Sequence, residues 1–416
     1  MVNKKQYFSR IAMCLMLSTA YSSSAYSYDD NEVESVKERH DAFYTPEGIR
    51  LGVFTLSPSL EVLQKYDDNI FRQQSGEKSD AITLFQPSVA LKSDWGLHEV
   101  QLGASGDFGR FSDFDSENYE DHRLYASGRY DIDYETYLTV SASLNRLHED
   151  RSSLDDVGGD SPTEFDRRSM AVTFSRSLGI LKLRLGGELH SYEYEDSSSG
   201  GASIDNSNRD RDHQALNARL SYGVSDDYDV FVQAETSRRR YDESTGAARD
   251  SDGREYQLGM AVNFSGKAKG DVYIGRLTQD YRTTFDDVSA TTYGASVLWN
   301  PTEVMSLDFN IDREVLETTL AGASGLLRTD SSVVLEHSFR DNVFVDLGLG
   351  LIDEQYEGTA VSSRDNTTYV LGAGAEYRVN NRLHAGVNYE FKDRSFKDNV
   401  GDYDNHVMTF SVKYAY

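Results

Sequence analysis

The sequence predicts an all-β fold, a transmembrane antiparallel β-barrel of about 18 strands, and three observations carry that expectation. Stretches of about ten residues with alternating apolar and polar side chains follow one another from Leu51 to the end. The links between them alternate in length, tight turns after every second stretch and long acidic loops after the others. The chain also ends on an aromatic residue inside such a stretch: from Val407 it reads V-M-T-F-S-V-K-Y-A-Y. Met408, Phe410, Val412, Tyr414 and Tyr416 fall on one face, and Val407, Thr409, Ser411, Lys413 and Ala415 on the other. A closed barrel in a bilayer needs that sorting, because every strand must turn one face to lipid and one to water.

Composition agrees. Hydrophobic residues make up only 38%, yet aromatics reach 12%, with 27 Tyr and 19 Phe against 2 Trp. Tyr suits a boundary between lipid and water, its ring being apolar and its hydroxyl wet. Only 5 prolines occur, as expected of a backbone that must donate to strand ladders. After residue 27 no stretch is apolar over the roughly 18 residues a spanning helix needs, so a membrane location would have to be reached with strands.

At the start, Lys4, Lys5 and Arg10 precede the apolar run Ile11 to Ala20, and small residues follow, ending Ser23-Ser24-Ala25-Tyr26-Ser27. This is the pattern of a secretory signal peptide over 1–27, cleaved after Ala25 or Ser27. The only cysteine, Cys14, would leave with it. So would three positive charges and no negative one, taking the formal net charge from -27 to -30. So acidic a chain repels nucleic acid. Residues 28–50 lack a strand pattern and read as a periplasmic N-terminal segment with one short helix at Glu32 to His40. The barrel itself is expected over 51–416.

In order, the strands are expected at 51–63, 81–94, 97–109, 119–132, 135–148, 165–178, 180–195, 212–224 and 228–241. They continue at 253–265, 269–284, 289–300, 303–316, 326–338, 342–356, 367–379, 382–396 and 402–416. Turn formers such as Asp94-Trp95-Gly96, Ser225-Asp226-Asp227, Gly266-Lys267-Ala268 and Asn380-Asn381 supply the short links. The long links include Gln73 to Asp80, Ser112 to Asp121, Glu149 to Glu164 and Asp196 to Arg211. Short periplasmic turns opposite long extracellular loops, with an even strand number, describe an outer-membrane barrel. A sandwich would bury its apolar faces, and no fixed repeat suggests a solenoid.

Candidate chemistry is sparse. The histidines are scattered, nothing marks a nucleophile, and no metal-binding spacing occurs, so neither an enzyme nor a cofactor is expected. Asp113, Asp115 and Glu117, or Asp155, Asp156 and Asp160, could hold calcium but lack the loop of an EF-hand. Inward-facing charge is the stronger feature, since rings of charge set what a wide pore passes. The alternation assigns to the lumen the basic residues Arg129, Lys182, Arg184, Arg219, Arg276 and Arg378, with Arg282 among further ones. The acidic set is Glu188, Glu235, Asp308, Asp312, Asp346, Glu376 and Glu390. Tyr125, Tyr137, Phe231 and Phe344 also fall inward, where they could stack on sugars.

The stretch Y-D-D-N-I-F (Tyr66, Asp67, Asp68, Asn69, Ile70, Phe71), then Lys78-Ser79-Asp80 and Q-P-S-V-A-L-K-S-D-W-G-L-H-E-V-Q-L from Gln86 to Leu102, resembles the outer-membrane proteins called putative β-barrel porin 2. The motif covers the first three strands; beyond them the likeness is one of strand rhythm. The resemblance implies a porin that secretes an exopolysaccharide alongside a periplasmic polysaccharide export protein, and it carries no catalytic residues. Lipopolysaccharide around the barrel and the barrel-assembly machinery, recognising the strand that ends at Tyr416, are the other expected partners. The alternatives are a general or solute-specific diffusion porin and an adhesin whose loops bind a partner.

Overall fold

The structure is a computed structural model describing residues 33–242, 249–264, 267–282, 285–358 and 364–416. The expected signal peptide, Cys14 within it, and Gly266 of one turn lie outside the described residues.

Helix α1 (Val36–Tyr44) comes first, then β1 (Ile49–Leu51), β2 (Phe54–Asp67), β3 (Asp80–Ser93), β4 (Glu99–Phe111), β5 (Tyr119–Asp133), β6 (Thr136–His148), β7 (Glu164–Leu178) and β8 (Leu181–Tyr194). The short β9 (Ser197–Ser199) and β10 (Ala202–Ile204) pair within one loop. Then come β11 (Arg211–Ser225), β12 (Tyr228–Tyr241), β13 (Ser251–Phe264), β14 (Ala268–Tyr281), β15 (Val288–Thr302), β16 (Met305–Leu316) and β17 (Ala323–Arg340). Last are β18 (Val343–Gly358), β19 (Asn366–Arg378), β20 (Leu383–Phe396) and β21 (Tyr403–Ala415).

Strands β2 to β8 and β11 to β21 form a closed barrel of 18 antiparallel strands, each paired with its neighbours in sequence. The seam is β2 on β21, in register from Ser59↔Ala415 to Asp67↔Val407, so no edge is left unpaired. All the expected stretches are strands, with ends within about three residues of expectation except the first, which runs on to Asp67. There the alternation continues, Gln64 and Tyr66 facing out, Lys65 and Asp67 in.

Alternation sorts the faces as lipid and water require. Along β18, Leu347, Leu349 and Leu351 are exposed on the outside, while Phe344, Ile352 and Tyr356 face in and are buried. Exposed large apolar residues recur on every barrel strand from β11 to β15, among them Leu216, Val232, Leu258, Ile274 and Trp299. So much apolar surface is unfavourable in water and neutral against acyl chains. Inside, several rings lie flat on the wall: Tyr125 covers Gly103, where a Cβ would come within 2.2 Å of the ring, and Tyr273 covers Gly294 at 2.3 Å. Glycine opposite an aromatic residue lets the ring lie along the wall rather than stand in the bore.

Candidate functional site

The motif that carries the family resemblance lies at the long-loop end of the seam. Asp67 is 1% exposed and accepts from Arg72 Nη1 and Nη2 at 2.8 and 2.9 Å and from the Asn69 amide at 3.1 Å. Asn69 Nδ2 donates to the carbonyls of Gln73 and Asp404, and Asp68 Oδ1 accepts from the His406 amide, so the turn after β2 is stitched to β21. Phe71 meets Phe114 edge to face, centroids 5.3 Å apart. Asp80 accepts from the amides of Ala81, Ser112, Asp113 and Phe114, tying the first loop to the next; its neighbour Ser79 ends the intervening turn. These motif residues are therefore a clasp rather than a substrate site. Asp80→Ala is expected to remove the acceptor these part-buried amides share, at about 0.5–1.5 kcal/mol for each bond lost, and so to lower the unfolding midpoint in urea. Asp80→Asn, which keeps one acceptor, should lose less.

The lumen wall is divided by charge. On β5 to β11 the inward positions carry Arg123, Arg129, Arg167, Lys182, Arg184 and Arg219, against Asp121, Asp131 and Glu188. On β12 to β18 they carry Glu235, Glu255, Asp308, Asp312, Glu314, Asp330, Glu336, Asp346 and Glu354, relieved mainly by Arg239, Lys269 and Arg328. A basic arc thus faces an acidic one across the bore, while Glu376, Arg378 and Glu390 sit on the mixed arc of β19 and β20. Neighbouring pairs hold side chains in place: Arg219 to Asp271 at 2.6 Å, Lys182 to Asp229 at 2.7 Å, and Arg129 to Asp131 at 2.8 Å.

Two assignments need correction. Arg276 shares its face with Val272 and Ile274 and pairs across from Tyr256, so it points outward. Arg282, just past β14, binds Asp252 on the same outer face. Near the strand ends water lies on both sides of the wall, so a charge there no longer marks the inner face. The inward aromatics are also less available than expected. Phe344 is fully buried beneath His40 and Arg378, and Phe231 is 3% exposed beneath Arg219. Tyr125 and Tyr137 face in, next to Gln101 and Arg129 respectively.

Helix α1 lies inside the barrel at the short-turn end. It begins at Ser35, not Glu32, because Ser35 and Glu38 form a capping box: the Glu38 amide donates to Ser35 Oγ and the Ser35 amide to Glu38 Oε2. That S-x-x-E spacing was the sequence signal for its start. Val33 and Val36 are buried. The Val36 amide donates to Ser306 Oγ at 2.7 Å, Lys37 Nζ pairs with Asp346 at 2.7 Å, and Arg378 Nη2 pairs with Asp41 at 2.7 Å. Arg39 reaches the Glu303 carbonyl. Burial, opposed by Arg378 and reinforced by Glu376 and Glu38, pushes the Asp41 carboxyl up to about 6.

At the other end the loop 149–163, carried by β6 and β7, crosses to β17 and β18, half-way round the ring. Leu154 packs against Ala323, Leu326 and Tyr356. Asp155 accepts from the Thr319 amide at 2.7 Å and its hydroxyl at 2.9 Å, and Arg394 Nη1 donates to the Ser152 carbonyl at 2.7 Å. At its base Arg209 grips Glu149, and Arg151 grips Glu117 with both nitrogens at 2.8 Å. Burial alone would raise Asp150; the charge of Arg72 and bonds from Ser152 instead hold it well below the usual carboxylate range. Just past β16, Glu317 takes Arg239 at 2.6 Å and the Tyr241 hydroxyl at 2.5 Å. The loop carboxylates considered for calcium thus serve internal bonds: Glu117 and Asp156 to Arg151, Asp155 to Thr319, and Asp160 to the Gly200 amide.

A family model described as putative beta-barrel porin 2 matches residues 41–416. Among solved structures, OpdL from Pseudomonas aeruginosa is similar at 12% identity and a TM-score of 0.46, over 88% of this chain and 99% of that one. OpdO from the same organism is 14% identical with a TM-score of 0.45, over 87% and 97%. The siderophore receptor PirA from Acinetobacter baumannii is 8% identical with a TM-score of 0.46, over 87% and 80%. No curated protein sequence matches.

Proposed function

This chain belongs to the putative β-barrel porin 2 family, and on that premise we propose that it is an outer-membrane conduit exporting an exopolysaccharide, fed by a periplasmic polysaccharide export partner. The observation that carries the proposal is α1. A helix held at the periplasmic mouth by a few polar contacts can be withdrawn from that side when polymer arrives. The inner face of β6 and β7 suits a moving sugar chain: Thr139, Ser141, Ser143 and Ser169 offer small hydroxyls, with Arg167 the charged residue among them. The protein acts as a channel, not an enzyme. Its signal peptide is removed on export, and the seam strand ending at Tyr416 is what the barrel-assembly machinery receives.

A solute-specific diffusion porin is the second reading, favoured by the opposed basic and acidic arcs, which would orient a dipolar solute. Gene deletion separates the two. Export predicts that surface matrix disappears while polymer accumulates inside the envelope; unchanged matrix overturns it. In planar bilayers an export conduit should be blocked by long oligosaccharides in preference to small charged solutes.

A further inference from the structure

On so acidic a chain, the outer rim of β12 to β14 is an exception. Arg238 and Arg240 of β12, Arg254 of β13 and Arg276 of β14 all lie on the outward face within about five residues of the long-loop end, and Arg282 follows just past β14. Their facing follows from the strands beneath them: Val230 and Val232, Tyr256 and Leu258, Val272 and Ile274 are the exposed apolar residues of the same faces. Register places Arg276 directly across from Tyr256, and Arg254 across from Thr236 and Thr278. The carboxylates among them are Asp252, shared by Arg240 at 2.5 Å, Arg282 at 2.8 Å and Arg238 at 3.8 Å, and Asp280 opposite it. Arg238 is nonetheless 69% exposed.

Elsewhere the same rim has the other character. Arg146 is matched by Glu164 and Glu195, and Arg168 by Glu193. On β18, β20 and β21 the outward positions are Asp353, Asp393 and Asp404, the last two directly paired. Among the described residues the excess of guanidinium is thus greatest on this arc, with Arg313 of β16 the next outward arginine, and it sits immediately above the apolar band, with Tyr256 at the boundary. In an outer membrane that is the layer of lipid headgroups.

We propose that this arc binds the phosphorylated headgroup of an outer-leaflet glycolipid, with Arg238, Arg254 and Arg276 donating to phosphate oxygens. Guanidinium offers the paired N–H geometry that phosphate accepts, and every cation in the arc is Arg. At the edge of the hydrocarbon the pairing is screened less than in open water. The inference needs the barrel to be in an outer membrane but is independent of what passes through it.

The test uses the full-length protein in detergent, titrated with diphosphorylated lipid A and with its dephosphorylated form, binding being read by native mass spectrometry. Wild type should retain the diphosphorylated lipid and not the other. The triple variant R238Q/R254Q/R276Q should bind about tenfold or more weakly, the corresponding triple Lys variant should recover part of the loss, and R146Q/R168Q should behave as wild type. Heat-modifiable migration on gels checks that each variant is a folded barrel; if the Gln variant is not, the Lys variant and the pair of wild-type lipid titrations carry the test. Equal binding of the two lipids, or unchanged binding by the Gln variant, overturns the proposal. So does displacement by millimolar inorganic phosphate, which would mark a general anion site. Loss of self-association with lipid binding intact would assign the arc to a second copy of the chain instead.

Discussion

Replacing residues 150–162 with a short glycine-serine turn should raise single-channel conductance in planar bilayers while leaving the barrel intact. The loop is the one described segment from β6 and β7 that reaches the far wall, and it is anchored there by Leu154 among Ala323, Leu326 and Tyr356, by Asp155 on Thr319 and by Arg394 on Ser152. The strand ladders do not depend on it, since β6 pairs with β7 from Thr136↔Arg176 to His148↔Glu164 regardless. Selectivity should shift as well. Asp150 interacts with Arg72, Lys65 and Lys392, so its removal leaves that side of the bore more basic and should turn permeation toward anions. Arg394→Ala, which removes one anchor, should give a smaller rise and more frequent opening. Unchanged conductance in the deletion would mean that the loop does not restrict passage.

Deleting residues 33–51, which removes α1 and β1, should give the second large effect. Helix α1 and the loop lie at opposite ends of one bore, so they are expected to act as constrictions in series, each limiting flow while the other remains. The double deletion should therefore exceed the sum of the single ones, and additivity would argue against the arrangement. In the intact protein the hold of α1 should depend on pH. Asp41 has its carboxyl raised to about 6 when docked, so docking favours its protonated form. The associated stability is fully present below the ordinary aspartate value of about 4 and is lost as pH rises through about 6. Open probability should accordingly be lower at pH 5 than at pH 7.5. Asp41→Asn should flatten that dependence toward the closed side; a wild-type channel opening more readily at pH 5 would contradict the assignment.

Much of the barrel was legible because strand alternation is local: each stretch such as Leu138 to Leu144 or Leu347 to Leu351 declares its two faces without reference to any other. The same parity turns Arg129 on β5 and Glu390 on β20 inward. Arg276 and Arg282 depart from the inward facing expected of them, because near a strand end both faces meet water and charge no longer distinguishes them. The Val272 and Ile274 parity already pointed Arg276 outward. The helix was misplaced by a few residues although its capping box stood in the sequence, and the availability of Phe231 and Phe344 was misjudged because what covers them comes from other strands and from α1.

The sequence by itself determined the strand number, the closing order and the sorting of lipid from water, since period-two patterning and turn spacing are properties of neighbouring residues. Only the tertiary structure decided that α1 and the loop 149–163 reach across opposite ends of the barrel and that its charges divide into opposed arcs. The contacts responsible join residues far apart, 164 positions from Asp155 to Thr319 and 242 from Ser152 to Arg394, and such pairs leave no periodic trace in a chain.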